Sequence, residues 1–192
     1  MVDDYADFVV HPRYGRRPRL TGLDPIPDPL GRVYLHWHSP AGIRIPYTAI
    51  AADLSRQPRA TIPVTHYFDA KRQCRDCQRS FLFFAEEQKY WYEELGFALE
   101  SDCVRCIECR QAQRGLEQKR ERYAELLHVR DRTLEQDLEL ADCCLALVEA
   151  RVFRERPLER VRAILNRLPR ELDAATRDRV AALRARSKSA ER

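Results

Sequence analysis

Over residues 112–192 the apolar positions repeat with a helical period. Leu134, Leu138, Ala141, Leu145 and Val148 fall at i, i+4, i+7, i+11 and i+14, which predicts one buried helix face. Thr133, with Gln136 three residues on, forms a capping box that starts this helix. Leu158, Val161, Ile164, Leu165 and Leu168 make the next stripe, with Pro157 suited to its first position and Pro169 stopping it. A last helix is predicted over 172–183, with the tail SKSAER fraying. From Arg110 to Arg130 charges dominate, and Leu116, Tyr123, Leu126 and Leu127 are the apolar marks of a further helix. Helices this short are marginal alone in water, so they are expected to pack on one another.

The first 63 residues follow a different rule. They hold nine of the eleven prolines and no cysteine. Proline fixes φ and removes a donor, so TGLDPIPDPLG (21–31) is expected to loop as an arm. RVYLHWHS (32–39) alternates β-branched and aromatic residues. SPAG (39–42) is turn-like, and IRIPYTAI (43–50) reads as a returning strand. A β-hairpin is predicted here, with Pro46 placing its second strand at an edge. Between these parts, SFLFF (80–84) predicts a short strand and 85–95 a helix closed by Gly96. The predicted fold class is α+β. Its parts are a proline-rich arm with a hairpin (1–63), a compact middle module (64–111) and an antiparallel helical segment (112–192).

Composition narrows the functional classes. The chain has 192 residues, 34 basic and 30 acidic, a net charge of +4 that does not by itself establish a nucleic-acid partner. No run of apolar residues is long enough for a transmembrane helix. The start, MVDDYADFVV, is acidic where an export signal is basic, so a cytoplasmic location is expected. Seven cysteines in such a chain point to metal or redox chemistry before disulfides.

Five of those cysteines lie in the middle module. Cys74 and Cys77 form one CxxC, and Cys106 and Cys109 form a second. Two cysteines three apart can turn both sulfurs to one ion, and two such turns complete a tetrahedral zinc site with ligands at about 2.3 Å. A module of about 45 residues is too short to bury a sufficient core, so one structural zinc is expected to hold it folded. CVRCIEC (103–109) contains a rival pair, Cys103 and Cys106, and one cysteine is spare. The CxxCxxC ladder lacks the residues that follow in an iron–sulfur run, and no βαβ pattern supports a thioredoxin-like role.

The segment YFDAKRQCRDCQRSFLFFAEEQKYWYEELGF, followed by CVRCIECR, resembles the bacterial "probable zinc-ribbon domain" family. The resemblance rests on Cys74/Cys77, Phe81 and Phe83, Glu87 and Gln88 with Trp91 and Tyr92, Gly96 and Phe97, and Cys106/Cys109 followed by Arg110. It covers about a quarter of the chain. It implies zinc binding by Cys74, Cys77, Cys106 and Cys109 and a ribbon fold, but no reaction. The stretch from Gly96 to Cys106 is slightly longer than the family's and carries Cys103.

The remaining candidates have plain alternatives. Arg13, Arg16, Arg17 and Arg19 surround Tyr14, a phosphate-and-base contact surface or a solvated arm. His36 and His38 flank Trp37 without a third ligand in the sequence, so they are expected at the surface, as is His11. His66 has the same surface reading, with support of the metal site from eight residues before Cys74 as its alternative. Cys143 and Cys144 sit mid-helix and are expected to be small core residues. No catalytic motif is present, and a zinc held by four thiolates has no open position for a substrate water. The expected protein is therefore not an enzyme and takes no small-molecule substrate. It is a zinc-dependent module that binds protein or nucleic acid, with a thiol-based redox or metal sensor as the third reading.

Overall fold

The computed structural model describes residues 4–27, 30, 32–59, 62–154, 157–169 and 171–190. Asp28, Pro29 and Gly31 of the arm and the last two residues of the tail lie outside these. The chain divides into two compact units, Met1–Arg110 and Gln111–Arg192. The proline-rich arm and the cysteine-rich segment both belong to the first. The described elements are α+β, as expected.

The first unit is built around an antiparallel hairpin, β3 (Ala70–Gln73) and β4 (Ser80–Phe83); the shorter β1 (Ile50–Ala51) pairs with β2 (His66–Tyr67). The hairpin register is Ala70↔Phe83, Lys71↔Leu82, Arg72↔Phe81 and Gln73↔Ser80. Successive side chains of a strand point to opposite faces, and both faces of SFLFF are covered. Phe81 and Phe83 pack with Val9 and the cysteines, whereas Leu82 and Phe84 pack with Ile45, Tyr5, Phe8 and Tyr14. That explains why this strand is continuously apolar rather than alternating.

The hairpin expected within the arm does not form. RVYLHWHS and IRIPYTAI pair with the segment that leads into the cysteines, not with each other. Thr65 N donates to Tyr34 O at 2.8 Å, and Leu35 bridges His66. Ile45 N donates to Asp69 O at 2.9 Å, Lys71 N donates to Ile43 O at 2.8 Å, and Ile50 and Ala51 face Tyr67 and His66. The cause is local. Tight turns at 36–39 and 40–44 redirect the chain before a ladder can close, and Pro40 and Pro46 have no N–H to give one. The arm thus covers both edges of the hairpin, since Val9 N also donates to Ser80 O at 2.8 Å.

After β4 the chain enters α1 (Ala85–Lys89) and continues directly into one π-helical turn, Tyr90–Glu94. Gly96, at φ +67, ends it as predicted, with Phe97 N donating to Trp91 O at 3.0 Å. The wide turn lets adjacent aromatics serve two clusters. Trp91 meets Phe83 at 5.0 Å, on the cysteine side, while Tyr92 is fully buried with Val64, Tyr67, Ala85 and Leu99.

Helix α2 (Ile107–His128) is followed in the second unit by α3 (Leu134–Glu149), α4 (Leu158–Arg167) and α5 (Ala174–Ser189). The predicted stripe of α3 is buried apart from half-buried Leu134, but Leu140, Cys143, Cys144 and Leu147 are buried too. Helix α3 is therefore wrapped on most of its circumference, and the two cysteines are core residues as expected. The Thr133–Gln136 capping box is present in both directions. Thr133→Ala is expected to cost about 1 kcal/mol, read as a lowered urea midpoint for the helical core. Pro157 is the N-cap of α4 rather than its first residue, and α4 ends at Arg167, before Pro169. The last helix starts later and runs further than expected. Asp173 caps it by accepting from Thr176 N at 2.9 Å, and buried Ser187 keeps the expected tail helical through Ser189.

Candidate metal centre

The two CxxC pairs reach one point by different means. Cys74 directly follows β3, and the chain turns back in a knuckle. Cys74 N donates to Arg79 O and Gln78 N donates to Cys74 O, both at 2.9 Å, with Gln78 at φ +60. Cys106 directly precedes α2, and Cys109 lies in that helix's first turn, where Arg110 N donates to Cys106 O at 3.0 Å. Arg75 N ties the knuckle to the second pair by donating to Val104 O at 2.9 Å.

The four sulfurs of Cys74, Cys77, Cys106 and Cys109 lie within 4.8 Å of one another. Cys77 Sγ and Cys106 Sγ are 3.8 Å apart. A tetrahedron with arms of about 2.3 Å has edges of about 3.8 Å, so the donor set fits a tetrathiolate zinc ion. Cys74 and Cys106 are fully buried, while Cys77 and Cys109 are half-buried. Cys103 stands outside the four. Its thiol is buried, donates to Arg105 O at 3.4 Å and is pushed up to about 12 by that burial. The spare cysteine therefore packs against the site as an apolar group.

The electrostatics suit a cation. Burial raises the Cys74 thiol, but backbone N–H groups of Cys77, Cys106 and Asp76 outweigh it and bring the group down to about 6. The Arg79 N–H lowers Cys77. Burial raises both Cys106 and Cys109, and neighbouring sulfurs push Cys109 further. Four thiolates cannot ionise together in so small a space unless a cation compensates them, and a divalent ion does so. The start of α2 adds a favourable helix dipole at the second pair.

Arg110, directly after the last ligand, explains the order of residues around the site. Its guanidinium lies 2.6 Å from Glu87 Oε1 and 5.0 Å over the Trp91 ring. Gln88, next to Glu87, is buried and donates to Phe68 O at 2.5 Å and Phe83 O at 2.9 Å. The E-Q-x-x-W segment therefore clamps the second cysteine turn to the hairpin. Arg105–Asp76, at 2.7 Å, and Arg79–Glu108 pair the knuckle with the second turn from outside.

A hairpin knuckle supplying two ligands and a helix N-terminus supplying two more define a treble clef zinc-binding domain. Residues 68–118 match the family described as "Probable treble clef domain". No curated protein and no solved structure matches the chain. The expected zinc ribbon accordingly takes the treble clef form, with its second pair on a helix, and Cys74, Cys77, Cys106 and Cys109 hold one structural zinc.

The other candidates lie elsewhere. His66, in β2, meets Thr65 Oγ1 at 3.0 Å. His38 is half-buried, its Nε2 2.9 Å from the Glu100 carbonyl. His36, expected at the surface, is only 5% exposed, between Trp37 at 4.9 Å and Tyr92 at 5.4 Å. His11 is half-buried, its ring accepting from Arg13 N and Tyr14 N at 3.1 and 3.2 Å. In the arginine arm, Arg16 donates to Ala6 O at 2.9 Å, and Arg19 pairs with Glu86 at 3.1 Å.

Burial, with the neighbouring His38, lowers His36 to about 4. A base depressed in the folded state contributes stability above its unfolded value, near 6.5, and loses it as pH falls through about 4. The contribution is on the order of 3 kcal/mol. A ring-nitrogen NMR titration is expected to find His36 neutral at pH 5.5; a protonated His36 at that pH would refute the buried placement.

Sequence reasoning missed His36, Glu87 and Asp69 as interior groups. Only Glu87 had a signal, its place in the motif shared with the resembled family.

Proposed function

We propose that this chain is a non-catalytic protein-interaction module in which the zinc fixes a recognition surface on the first unit. The observation that carries this reading is an apolar exposure on two hydrogen-bonded segments. Thr21 N and Gly22 N donate to Tyr47 O, and Ala49 N donates to Leu23 O. On these strips Leu20 is 75% exposed, Ile26 79% and Tyr47 58%, with Leu23 also exposed. Large apolar side chains held on a rigid surface suit a protein partner.

Charge supports the same side. Residues 1–110 contain 15 basic and 15 acidic residues, so this unit has no net formal charge. Arg19, Arg56, Arg72, Arg79, Arg105 and Arg110 all face carboxylates, which reduces what these six offer a phosphate backbone. A closed tetrathiolate supports a structural ion rather than a hydrolytic one. The deep burial of Cys103 weighs against an exposed sensor thiol.

Native mass spectrometry of the zinc-loaded chain purified from its own cells tests the proposal. The expected species carries one zinc and a bound polypeptide, survives nuclease and high salt, and is lost in Ile26→Glu. A nuclease-sensitive complex that dissolves steeply with salt would instead establish nucleic-acid binding.

A further inference from the structure

The second unit carries a groove separate from the surface proposed above. It runs between the end of α4 and the length of α5, with a volume of about 800 Å³. Its floor is apolar, formed by Leu165, Leu168, Leu172 and Val180. A smaller cavity of about 300 Å³ adjoins it, sharing Leu165, Asn166, Arg184 and Lys188 and adding Arg162 and Ser187.

Three features say what fits there. Helix α5 contributes Arg177, Val180, Ala181, Arg184, Ala185 and Lys188, spaced i, i+3, i+4, i+7, i+8 and i+11. That is one continuous helix face about 16 Å long, and the small side chains of Ala181 and Ala185 let a second helix approach closely. Every charged residue lining the two cavities is basic: Arg162, Arg177, Arg184 and Lys188. Arg177 and Lys188, at opposite ends of the face, are exposed and have no ion pair among the described residues. Ser187 is 5% exposed, lines the smaller cavity, and its hydroxyl has no hydrogen-bond partner among the described residues. A buried hydroxyl left unpaired is costly, and a polar group entering from the groove relieves that cost.

We propose that this groove receives an acidic amphipathic helix of a partner protein. Its leucine-type face covers the apolar floor, and its carboxylates meet the cations at both rims. The basic excess of residues 111–192, 19 basic against 15 acidic, favours the same partner.

The test uses the full zinc-loaded chain and fluorescence anisotropy. The probe is a capped, labelled peptide of about 14 residues, with leucine along one helical face and glutamate elsewhere. A lysine-for-glutamate version and a proline-interrupted version serve as comparators. The acidic peptide is expected to bind saturably in the micromolar range, with each comparator at least about tenfold weaker. The double variant Arg177→Glu/Lys188→Glu is expected to weaken binding by about tenfold or more while its thermal melt matches the parent's. Ser187→Ala keeps the fold and weakens binding a few-fold. Ile26→Glu, which interrupts the first unit's surface, leaves peptide binding unchanged, so the two proposals fail separately. The inference is overturned by equal binding of the lysine peptide, by indifference to the charge reversals, or by no saturable binding at millimolar peptide. It is also overturned if oleate, and not the peptide, perturbs the groove residues in an NMR titration.

Discussion

Withdrawing the zinc unfolds the first compact unit and leaves the helical core of the second folded. The second unit has its own closed core, in which Leu140, Leu145, Leu147, Val161 and Ile164 are buried together with no contribution from the metal. The first unit instead divides its interior among three small clusters, one of which consists largely of cysteine sulfurs with Val9, Phe81 and Phe83. Structural zinc sites contribute roughly 10–16 kcal/mol of apparent binding energy, more than the whole stability of a typical small domain. Chelation, or Cys106→Ser, is therefore expected to collapse the amide NMR dispersion of residues 64–110 while signals from α3–α5 persist. Cys103→Ala is the discriminating control. It removes a buried thiol that bonds only Arg105 O among the described residues, and one zinc per chain should remain by native mass spectrometry. If Cys103→Ala instead loses the zinc, Cys103 is a ligand and the fourfold site described above is wrong.

The paired cysteines were legible because metal ligation imposes a short, fixed spacing on the sequence. The α3 and α4 faces were legible because burial on one side imposes a period of 3.6. The treble clef character was not. Few apolar residues mark the start of α2, so the sequence placed helix from Arg110 onward. The three residues before it, Ile107 to Cys109, are what carry the second ligand pair onto a helix. The arm was misread for a different reason. RVYLHWHS has strand composition, but composition does not name a partner, and its partners lie in 64–71 across two proline-restricted turns. His36 carries no periodic signal either; it is buried because Trp37 and Tyr92 enclose it, and Tyr92 is turned inward by a π turn that propensities do not announce.

Replacing Asp69 detaches the arm from the zinc module even though the residue touches no metal ligand. Asp69 is fully buried between three segments. One carboxylate oxygen accepts from Arg19 N at 2.8 Å and the other from Ala85 N at 2.7 Å, the first amide of α1, while its own N–H donates to Thr48 Oγ1 at 3.0 Å. Burial raises its carboxyl to about 6, the two backbone donors opposing that rise. Asp69→Ala leaves the buried Ala85 amide and the part-buried Arg19 amide without their acceptor, at about 1–3 kcal/mol for the buried donor and less for the other, so a total near 2–4 kcal/mol is expected. Asp69→Asn keeps one acceptor but turns an NH2 group toward the other amide, and should recover only part of the loss. The predicted signature is local. Amide exchange accelerates at Arg19 and at Ala85, while the zinc stoichiometry stays at one and the α3–α5 amides keep their protection. Because Asp69 precedes Cys74 by only five positions, loss of zinc in Asp69→Ala would mean that the arm is part of what holds the metal site closed. Unchanged exchange at both amides would mean that the carboxylate does not bridge the arm to α1.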